Sequence, residues 1–235
     1  MSTVLEVKDL VKIYPSFRLK EVGFSLEEGK ITGFIGRNGA GKTTTLHSLL
    51  GFLKPDGGEI RFWGEELRDH ELEIKQRIGF VSAGMNFYNS KKLKTITAVT
   101  KSFYERWDDA AYRRSMELFA LDEEKTPEKL SNGMKIKYLL ALALSHGADL
   151  LILDEPTRGI DIGAKAEIQR LMLEMCGEGV SVIFISSELD EIIRCSNRIV
   201  VMRDRKQVGV VNGEGCTQQT LLNIIANGMQ EGATA

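Results

Sequence analysis

The chain has 235 residues, of which 43% are hydrophobic, and a formal net charge of −2 at pH 7. This length supports one globular unit with a large core, and the near-neutral charge gives no indication of a nucleic-acid partner. The three cysteines are far apart and form no C-x-x-C pair, so neither a zinc site nor a disulfide framework is expected. Glu6 places a charge early in the N-terminal segment, which is therefore not expected to be a signal peptide. The longest apolar zone, Leu139–Leu153, is interrupted by His146 and Asp149 and is too short to span a bilayer.

Short apolar runs bounded by turn residues predict a series of strands. The predicted strands are residues 3–8, 22–26, 31–35, 59–63, 78–82, 150–153, 180–185, 199–202 and 207–211. Between about residues 86 and 147 the spacing is helical, and no strand is predicted. The alternation predicts an α/β fold over a single domain, residues 1–235, with an N-terminal antiparallel β portion and an inserted α-helical subdomain. The last two strands are expected to pair at an edge of the sheet.

Residues 36–43 carry the full G-x-x-x-x-G-K-[ST] pattern of a phosphate-binding loop, between a predicted strand and a predicted helix. Glycines let backbone N–H groups approach phosphate oxygens, and the helix N-terminus adds partial positive charge. Lys42 would bring a charge to the outer phosphates, and the Thr43 hydroxyl can ligate Mg²⁺. An ordinary glycine-rich turn is the alternative, and the strand–loop–helix context disfavours it. The residues expected to bind nucleotide here are Gly36, Arg37, Asn38, Gly39, Ala40, Gly41, Lys42, Thr43 and Thr44.

A second motif is the apolar run 150–153, which ends in Asp154 and Glu155. Asp154 is expected on the magnesium side of the nucleotide, and Glu155 is expected to polarise the water that attacks the γ-phosphorus. Apolar strands often end in solvated acids, so the run alone is ambiguous. The phosphate-binding loop upstream favours the catalytic interpretation.

The string Leu130-Ser131-Asn132-Gly133-Met134 lies between these two motifs and precedes a helical run. Alone it could be an ordinary turn or helix cap. In this position it resembles the L-S-G-G-Q signature of ATP-binding-cassette (ABC) ATPases, with Asn132 and Met134 replacing a glycine and the glutamine. The resemblance covers nearly the whole chain and implies a P-loop NTPase core that uses ATP and Mg²⁺. It also implies that Ser131, Asn132, Gly133 and Met134 face the γ-phosphate of a nucleotide bound by a second ABC ATPase chain, identical or related.

The same resemblance gives roles to two further residues. Tyr14 falls where the family places an aromatic side chain that stacks on adenine, although a plain surface or core tyrosine is the alternative. Asp161, in the string Gly159-Ile160-Asp161, falls in the D-loop, which touches the opposite subunit.

Two positions depart from the family pattern. Ser187 stands where a switch histidine is usual; a serine hydroxyl can hydrogen-bond a phosphate or Glu155 but carries no charge. Ala83 stands where the Q-loop glutamine is usual, and it has no side-chain oxygen for Mg²⁺. Because Lys42, Thr43, Asp154 and Glu155 all remain, slow but real hydrolysis is expected.

The signature ending in Met and the string Ser102–Asp108 resemble small bacterial cassettes that export drugs, antibiotics or amphipathic peptides through a separate ABC-2 type membrane permease. Ser186-Ser187-Glu188 is similar to sugar-import cassettes, but those carry two fused cassettes, so export is favoured. The resemblance implies peripheral attachment to the cytoplasmic face of the cell membrane, with the permease docking near residues 85–88. A soluble regulatory ABC ATPase and a low-turnover nucleotide-sensing module are the alternatives.

Overall fold

The computed structural model describes residues 2–84 and 88–228. Its strands are β1 Thr3–Ile13, β2 Arg18–Glu27, β3 Ile31–Ile35, β4 Gly57–Phe62, β5 Glu65–Glu66, β6 Ile78–Ser82, β7 Leu150–Asp154, β8 Ser181–Ile185, β9 Arg198–Arg203 and β10 Lys206–Asn212. Its α-helices are α1 Lys42–Leu49, α2 Glu71–Gln76, α3 Leu93–Lys101, α4 Asp109–Leu118, α5 Asn132–Ser145, α6 Ile162–Gly177, α7 Leu189–Cys195 and α8 Gln218–Asn227. A short 3₁₀ helix at Pro127–Lys129 precedes α5.

These strands form one ten-stranded sheet in the order β5-β4-β1-β2-β10-β9-β3-β8-β7-β6. β9, β3, β8, β7 and β6 run parallel to one another, whereas β1, β2, β4 and β5 pair antiparallel. The predicted α/β class and the N-terminal antiparallel portion are therefore confirmed. Because the parallel strands share a direction, their carboxyl ends meet at one edge, where ligands bind in such sheets.

Both faces of the parallel strands are covered by apolar packing. In β7, Leu151 and Leu153 join one hydrophobic cluster with α5 and α6, whereas Leu150 and Ile152 join a second cluster with α1 and the antiparallel strands. A strand that is buried on both sides has no polar face, which is why it reads as a continuous apolar run rather than an alternating one. Because β7 is held in the core on both sides, the position of the acidic residues that follow its apolar run, Asp154 and Glu155, is fixed.

The helices α3, α4 and α5 lie between β6 and β7, within the range expected for the helical insertion. α5 also packs against the sheet itself, because a Cβ added at Gly79 of β6 would lie 2.6 Å from the Cβ of Ala143. The insertion therefore shares its core with the sheet. Residues 85–87 and 229–235 lie outside the described residues, and of the expected docking segment only Tyr88 is described; it is 76% exposed.

The expected edge position of the last two strands is wrong. β9 and β10 pair antiparallel, as predicted, but β9 also pairs with β3 and β10 also pairs with β2. The reason is burial: Ile199, Val200, Val201 and Met202 are fully buried, so β9 can only occupy the interior of the sheet. The sequence analysis also predicted neither the helices α2 and α8 nor the short strand β5, and it ended β1 at residue 8 rather than at Ile13.

No helix among residues 2–84 and 88–228 is both long enough and apolar enough to cross a membrane.

Candidate nucleotide-binding site

The predicted phosphate loop connects β3 to α1 at the carboxyl edge of the sheet. Gly39 and Gly41 have φ angles of +79° and +106°, a region that side chains other than glycine rarely adopt. A Cβ at Gly36 would lie 2.3 Å from the carbonyl oxygen of Met202, so the loop passes too close to β9 to admit a side chain. The glycines therefore hold the loop wrapped around the N-terminus of α1, with space above Gly39.

Lys42 begins α1, and its ammonium points back into the loop. Its Nζ donates to the carbonyl oxygen of Gly36 over 2.6 Å and lies 3.4 Å from that of Arg37. Burial lowers the pKa of Lys42, while Glu155 and Asp154 act in the opposite direction. Among the described residues this buried ammonium is held by neutral carbonyl oxygens and forms no ion pair, and a phosphate group would supply the missing negative charge.

Asp154 ends β7 beside the loop. Burial raises the pKa of its carboxyl and Glu155 raises it further, while His47, a hydrogen bond from Ser82 and the Lys42 charge lower it. Among the described residues, no cluster of three His, Cys, Asp or Glu side chains could hold a metal alone. Thr43 and Asp154 fit Mg²⁺ instead, since this ion takes one or two protein oxygens together with substrate phosphates and water. When bound, Mg²⁺ would offset the charge of the phosphate oxygens.

Glu155 has a φ of +47°, which is unusual for a residue with a side chain and indicates a conformation imposed by its surroundings. Its N–H donates to the carbonyl oxygen of Ile185 over 2.9 Å, so the end of β7 is tied to the end of β8. Arg158 places a guanidinium nitrogen 3.5 Å from its carboxylate. This turn places the Glu155 carboxylate in the lining of the cleft, and a carboxylate is one of the groups that can serve as a general base.

One cleft of about 510 Å³ brings these groups together, a size suited to a small-molecule ligand. The residues that line it are Phe17, Asn38, Gly39, Ala40, Gly41, Lys42, Thr43, Thr44, Ser82, Ala83, Gly84, Asp154, Glu155, Arg158, Ile185 and Arg205. Most of the predicted phosphate-loop residues and both predicted acids are among them. Gly36 and Arg37 contribute through their carbonyl oxygens, which hold Lys42.

The aromatic wall of the cleft is Phe17, whereas Tyr14 stands behind it. The two rings stack with centroids 4.3 Å apart, and the guanidinium carbon of Arg205 lies 4.9 Å from the centroid of Phe17. Tyr14 therefore buttresses the ring that faces the cleft.

The predicted signature residues lie at the start of α5, outside the lining of this cleft. Ser131 caps the helix by accepting a hydrogen bond from the N–H of Met134 over 3.2 Å, and Gly133 is buried. Asp161 caps α6 in the same way, and Asn132 donates to the carbonyl oxygen of Gly159 over 3.4 Å. The signature and the D-loop are thus brought together beside the nucleotide cleft of the same chain, but neither Ser131–Met134 nor Asp161 is among the residues that line that cleft.

The two departures from the family pattern are placed differently. Ser187 follows β8 with an exposed side chain and is absent from the residues that line the cleft, whereas Ala83 lines it. Six lining residues were not predicted by the sequence analysis: Phe17, Ser82, Gly84, Arg158, Ile185 and Arg205. Ser82 and Arg158 directly flank recognised motifs, so their polar side chains were the available signal. Nothing local marks Phe17 or Arg205.

Comparison with known protein families identifies the family to which the chain belongs. A family model described as ABC transporter matches residues 19–158, which is more than half of the 235 residues. The chain belongs to the ABC transporter family of ATP-binding cassettes. This confirms the family that the sequence motifs indicated.

Among curated relatives, the chain is 37% identical over 211 residues to the bacitracin transport ATP-binding protein BcrA of Bacillus licheniformis, covering 88% of this chain and 69% of that protein. It is 32% identical over 247 residues to the ribose import ATP-binding protein RbsA of Lacticaseibacillus paracasei, covering 98% of this chain and 49% of that protein. The chain thus spans about half the length of the ribose relative. Relatives therefore include proteins named for both directions of transport.

Solved structures share the fold. The ATP-binding subunit of an ABC transporter superposes with a TM-score of 0.84 at 24% identity, over 95% of this chain and 99% of that chain. A dimeric ATP-binding cassette in a post-hydrolysis state, bound to ADP and Pi, superposes with a TM-score of 0.79 at 21% identity, over 90% of this chain and 100% of that chain. The P-loop fold predicted from the sequence is confirmed.

Proposed function

We propose that this chain is the ATP-hydrolysing subunit of an ABC transporter and that it energises export through a separate membrane permease. The observation that carries the proposal is the convergence of Lys42, Thr43, Asp154 and Glu155 in one cleft. These groups supply the phosphate charge, the metal ligands and the base that phosphoryl transfer needs. Lys42 would bind phosphate oxygens, and Glu155 would accept a proton from the attacking water.

Two cassettes would share each nucleotide. The side chains of Ser131 and Asp161 both cap helices whose N-termini are solvent-exposed. The N-terminus of α5 carries partial positive charge and contributes no residue to the lining of the cleft of its own chain, so a phosphate bound by a second chain is the ligand it suits. ATP would stabilise the closed pair, and hydrolysis would release it, because the nucleotide binds the two states with different affinity.

Attachment to a permease has a candidate surface at the junction of the sheet and the inserted helices. Phe52, Leu72 and Phe103 are 61%, 80% and 69% exposed. The Phe52 ring lies 6.1 Å from that of Phe80, and Gln76 of α2 donates to the carbonyl oxygen of Phe103, so these elements adjoin. An exposed apolar surface of this kind suits an amphipathic helix from a membrane partner, which would hold the cassette at the cytoplasmic face of the membrane.

Export of an amphipathic peptide, an antibiotic or a lipid-like molecule is supported by the bacitracin relative, which is 37% identical and of which the chain covers 69%. Sugar import is the second candidate, because the match to the ribose relative covers 98% of this chain. Both rest on relatives rather than on cargo contacts, since cargo would bind the permease.

The test is reconstitution of the cassette with its membrane partner in vesicles. ATP-dependent movement of a fluorescent amphipathic peptide, abolished in Glu155→Gln, supports export. ATP-dependent uptake of ribose or a related sugar supports import. Phosphate release by the purified cassette with no membrane partner recovered on co-purification favours a soluble regulatory ATPase. Tight ATP binding without turnover, unaltered in Glu155→Gln, favours a nucleotide-sensing module.

A further inference from the structure

Glu191 of α7 is a carboxylate buried next to the catalytic cleft but outside it. Its exposed fraction is 4%, and it lies among elements that carry the site. One oxygen, Oε2, accepts hydrogen bonds from the hydroxyls of Thr157 over 2.7 Å and Ser186 over 2.6 Å. Burying a carboxylate is costly unless it is paired and hydrogen-bonded, so this arrangement needs a reason beyond packing.

Each hydroxyl belongs to a segment that ends in the site. Thr157 follows the proposed base Glu155 by two residues, and Ser186 directly follows Ile185, which lines the cleft. Both hydroxyl residues are buried, at 2% and 3% exposure, so neither has solvent as an alternative partner. The single oxygen of Glu191 therefore joins the turn after β7 to the turn after β8.

The second carboxylate oxygen faces α6. Lys165 places its ammonium 3.5 Å from Oε1 of Glu191 and also pairs with Glu188. The backbone N–H of Glu188 in turn donates to the hydroxyl of Ser186 over 3.0 Å. Lys165 lies in α6, and Asp161 of the D-loop caps the first turn of this helix. The cluster around Glu191 therefore also connects the D-loop helix to the turns after β7 and β8.

We propose that Glu191 is a positioning residue for ATP hydrolysis, holding the Thr157 and Ser186 turns in register so that Glu155 is correctly aimed. The inference deepens the hydrolytic part of the proposed function and requires no permease. Ser187 carries no charge, so the rate of this cassette depends more heavily on the orientation of the base. A small misplacement of a reacting group can cost about 100-fold in rate.

The test compares Glu191→Gln, Thr157→Val and the double variant, with Glu174→Gln as the matched control. Glu174 is an acid on the exposed side of α6; it is half-exposed and pairs with Arg170 of the same helix. Thr157→Val keeps the side-chain volume and removes only the hydroxyl, so it keeps the test valid if Glu191→Gln unfolds. Steady-state phosphate release gives kcat and KM, and equilibrium binding of a fluorescent ATP analogue gives affinity.

Glu191→Gln should lower kcat about tenfold, with the KM for ATP and the analogue affinity changed less than about twofold. Thr157→Val should lower kcat in the same direction. The double variant should lose less than the product of the two single effects, because both substitutions act on the hydrogen bond between Thr157 and Glu191, which a neutral amide oxygen accepts only in weakened form. Glu174→Gln should match the wild type.

The inference is overturned if both single variants keep wild-type kcat, if the loss appears in KM instead, or if the two effects multiply in the double variant. Wild-type chain that binds ATP and releases no phosphate contradicts the proposed hydrolytic function itself. Active wild type with unaltered variants contradicts the positioning role alone.

Discussion

The ammonium of Lys42 lies 2.6 Å from the carbonyl oxygen of Gly36, six residues earlier in the same loop. The buried ammonium is thus held by a neutral acceptor. A phosphate oxygen can take the place of that carbonyl oxygen and adds the attraction between opposite charges. Lys42→Ala should therefore weaken ATP binding about 100-fold, the loss expected for a truncated charge pair. Titration with a fluorescent ATP analogue checks this. Lys8→Ala, at an exposed strand position, is the control and should bind normally.

Glu155→Gln separates binding from chemistry. The amide keeps the size of the side chain but cannot accept a proton, so phosphate release should fall about 100-fold or more while ATP binding persists. Light scattering should then show an ATP-stabilised dimer that outlasts that of the wild type. A variant that hydrolyses ATP at the wild-type rate would remove Glu155 from the role of base.

Ser82 supplies a hydroxyl to Asp154 at the position before Ala83. Its hydrogen bond lowers the pKa of the Asp154 carboxyl, against the burial that raises it. Ser82→Ala should raise that pKa further, leaving less carboxylate for Mg²⁺. The concentration of Mg²⁺ that gives half-maximal activity should increase about tenfold, and more steeply at low pH. The neighbouring Ala83→Ser is the control; its added hydroxyl should leave the Mg²⁺ requirement unchanged or lower.

Phe17 and Tyr14 are the two candidates for the aromatic side chain that stacks on the adenine of ATP. Phe17 lines the cleft under the Arg205 guanidinium, whereas Tyr14 stacks behind it. Stacking of a base on an aromatic ring contributes about 1–3 kcal/mol, so Phe17→Ala should raise the KM for ATP roughly tenfold. Tyr14→Ala should raise it less. A larger effect of Tyr14→Ala than of Phe17→Ala would show that Tyr14 is the residue that stacks on adenine, as the resemblance to the family implies, and that Phe17 only lies next to it.

His146 makes folding stability depend on pH. It is 2% exposed and stacks on the Tyr104 ring with centroids 3.8 Å apart. Burial lowers the pKa of His146 from 6.5 to about 4, despite hydrogen bonds that raise it. Above the unfolded value the histidine is neutral in both states. As pH falls from 6.5 towards 4 the unfolded chain takes up the proton first, so stability is lost across that window.

The measurement is urea unfolding of the wild type and His146→Phe at pH 7.5 and pH 5. The wild type should lose about 2 kcal/mol more than the variant between these values, because phenylalanine keeps the ring but cannot titrate. Equal losses in the two proteins would assign the acid sensitivity to other groups.

The sequence predicted the parts of the site that are local. The phosphate loop and the Asp154–Glu155 pair each combine a buried strand with a turn. The local sequence pattern of such a segment is enough to predict both the strand and the turn. Phe17 and Arg205 meet only because β2 pairs with β10, through Lys20 and Lys206. A contact between distant segments leaves no periodic signal in either one. The wrong edge position predicted for β9 and β10 has the same cause. An apolar run indicates that a strand is buried, but it does not indicate which strands lie next to it.

The central claim is that two chains complete each other's nucleotide site, and mixing two inactive variants tests it most directly. Lys42→Ala removes the loop ammonium, and Ser131→Arg blocks the signature end of α5. In a mixed dimer, one site pairs the intact Lys42 of one chain with the intact Ser131 of the other. An equal mixture should then recover up to about a quarter of wild-type phosphate release, since half the dimers hold one intact site of two. A mixture no more active than its separate components would contradict the shared site.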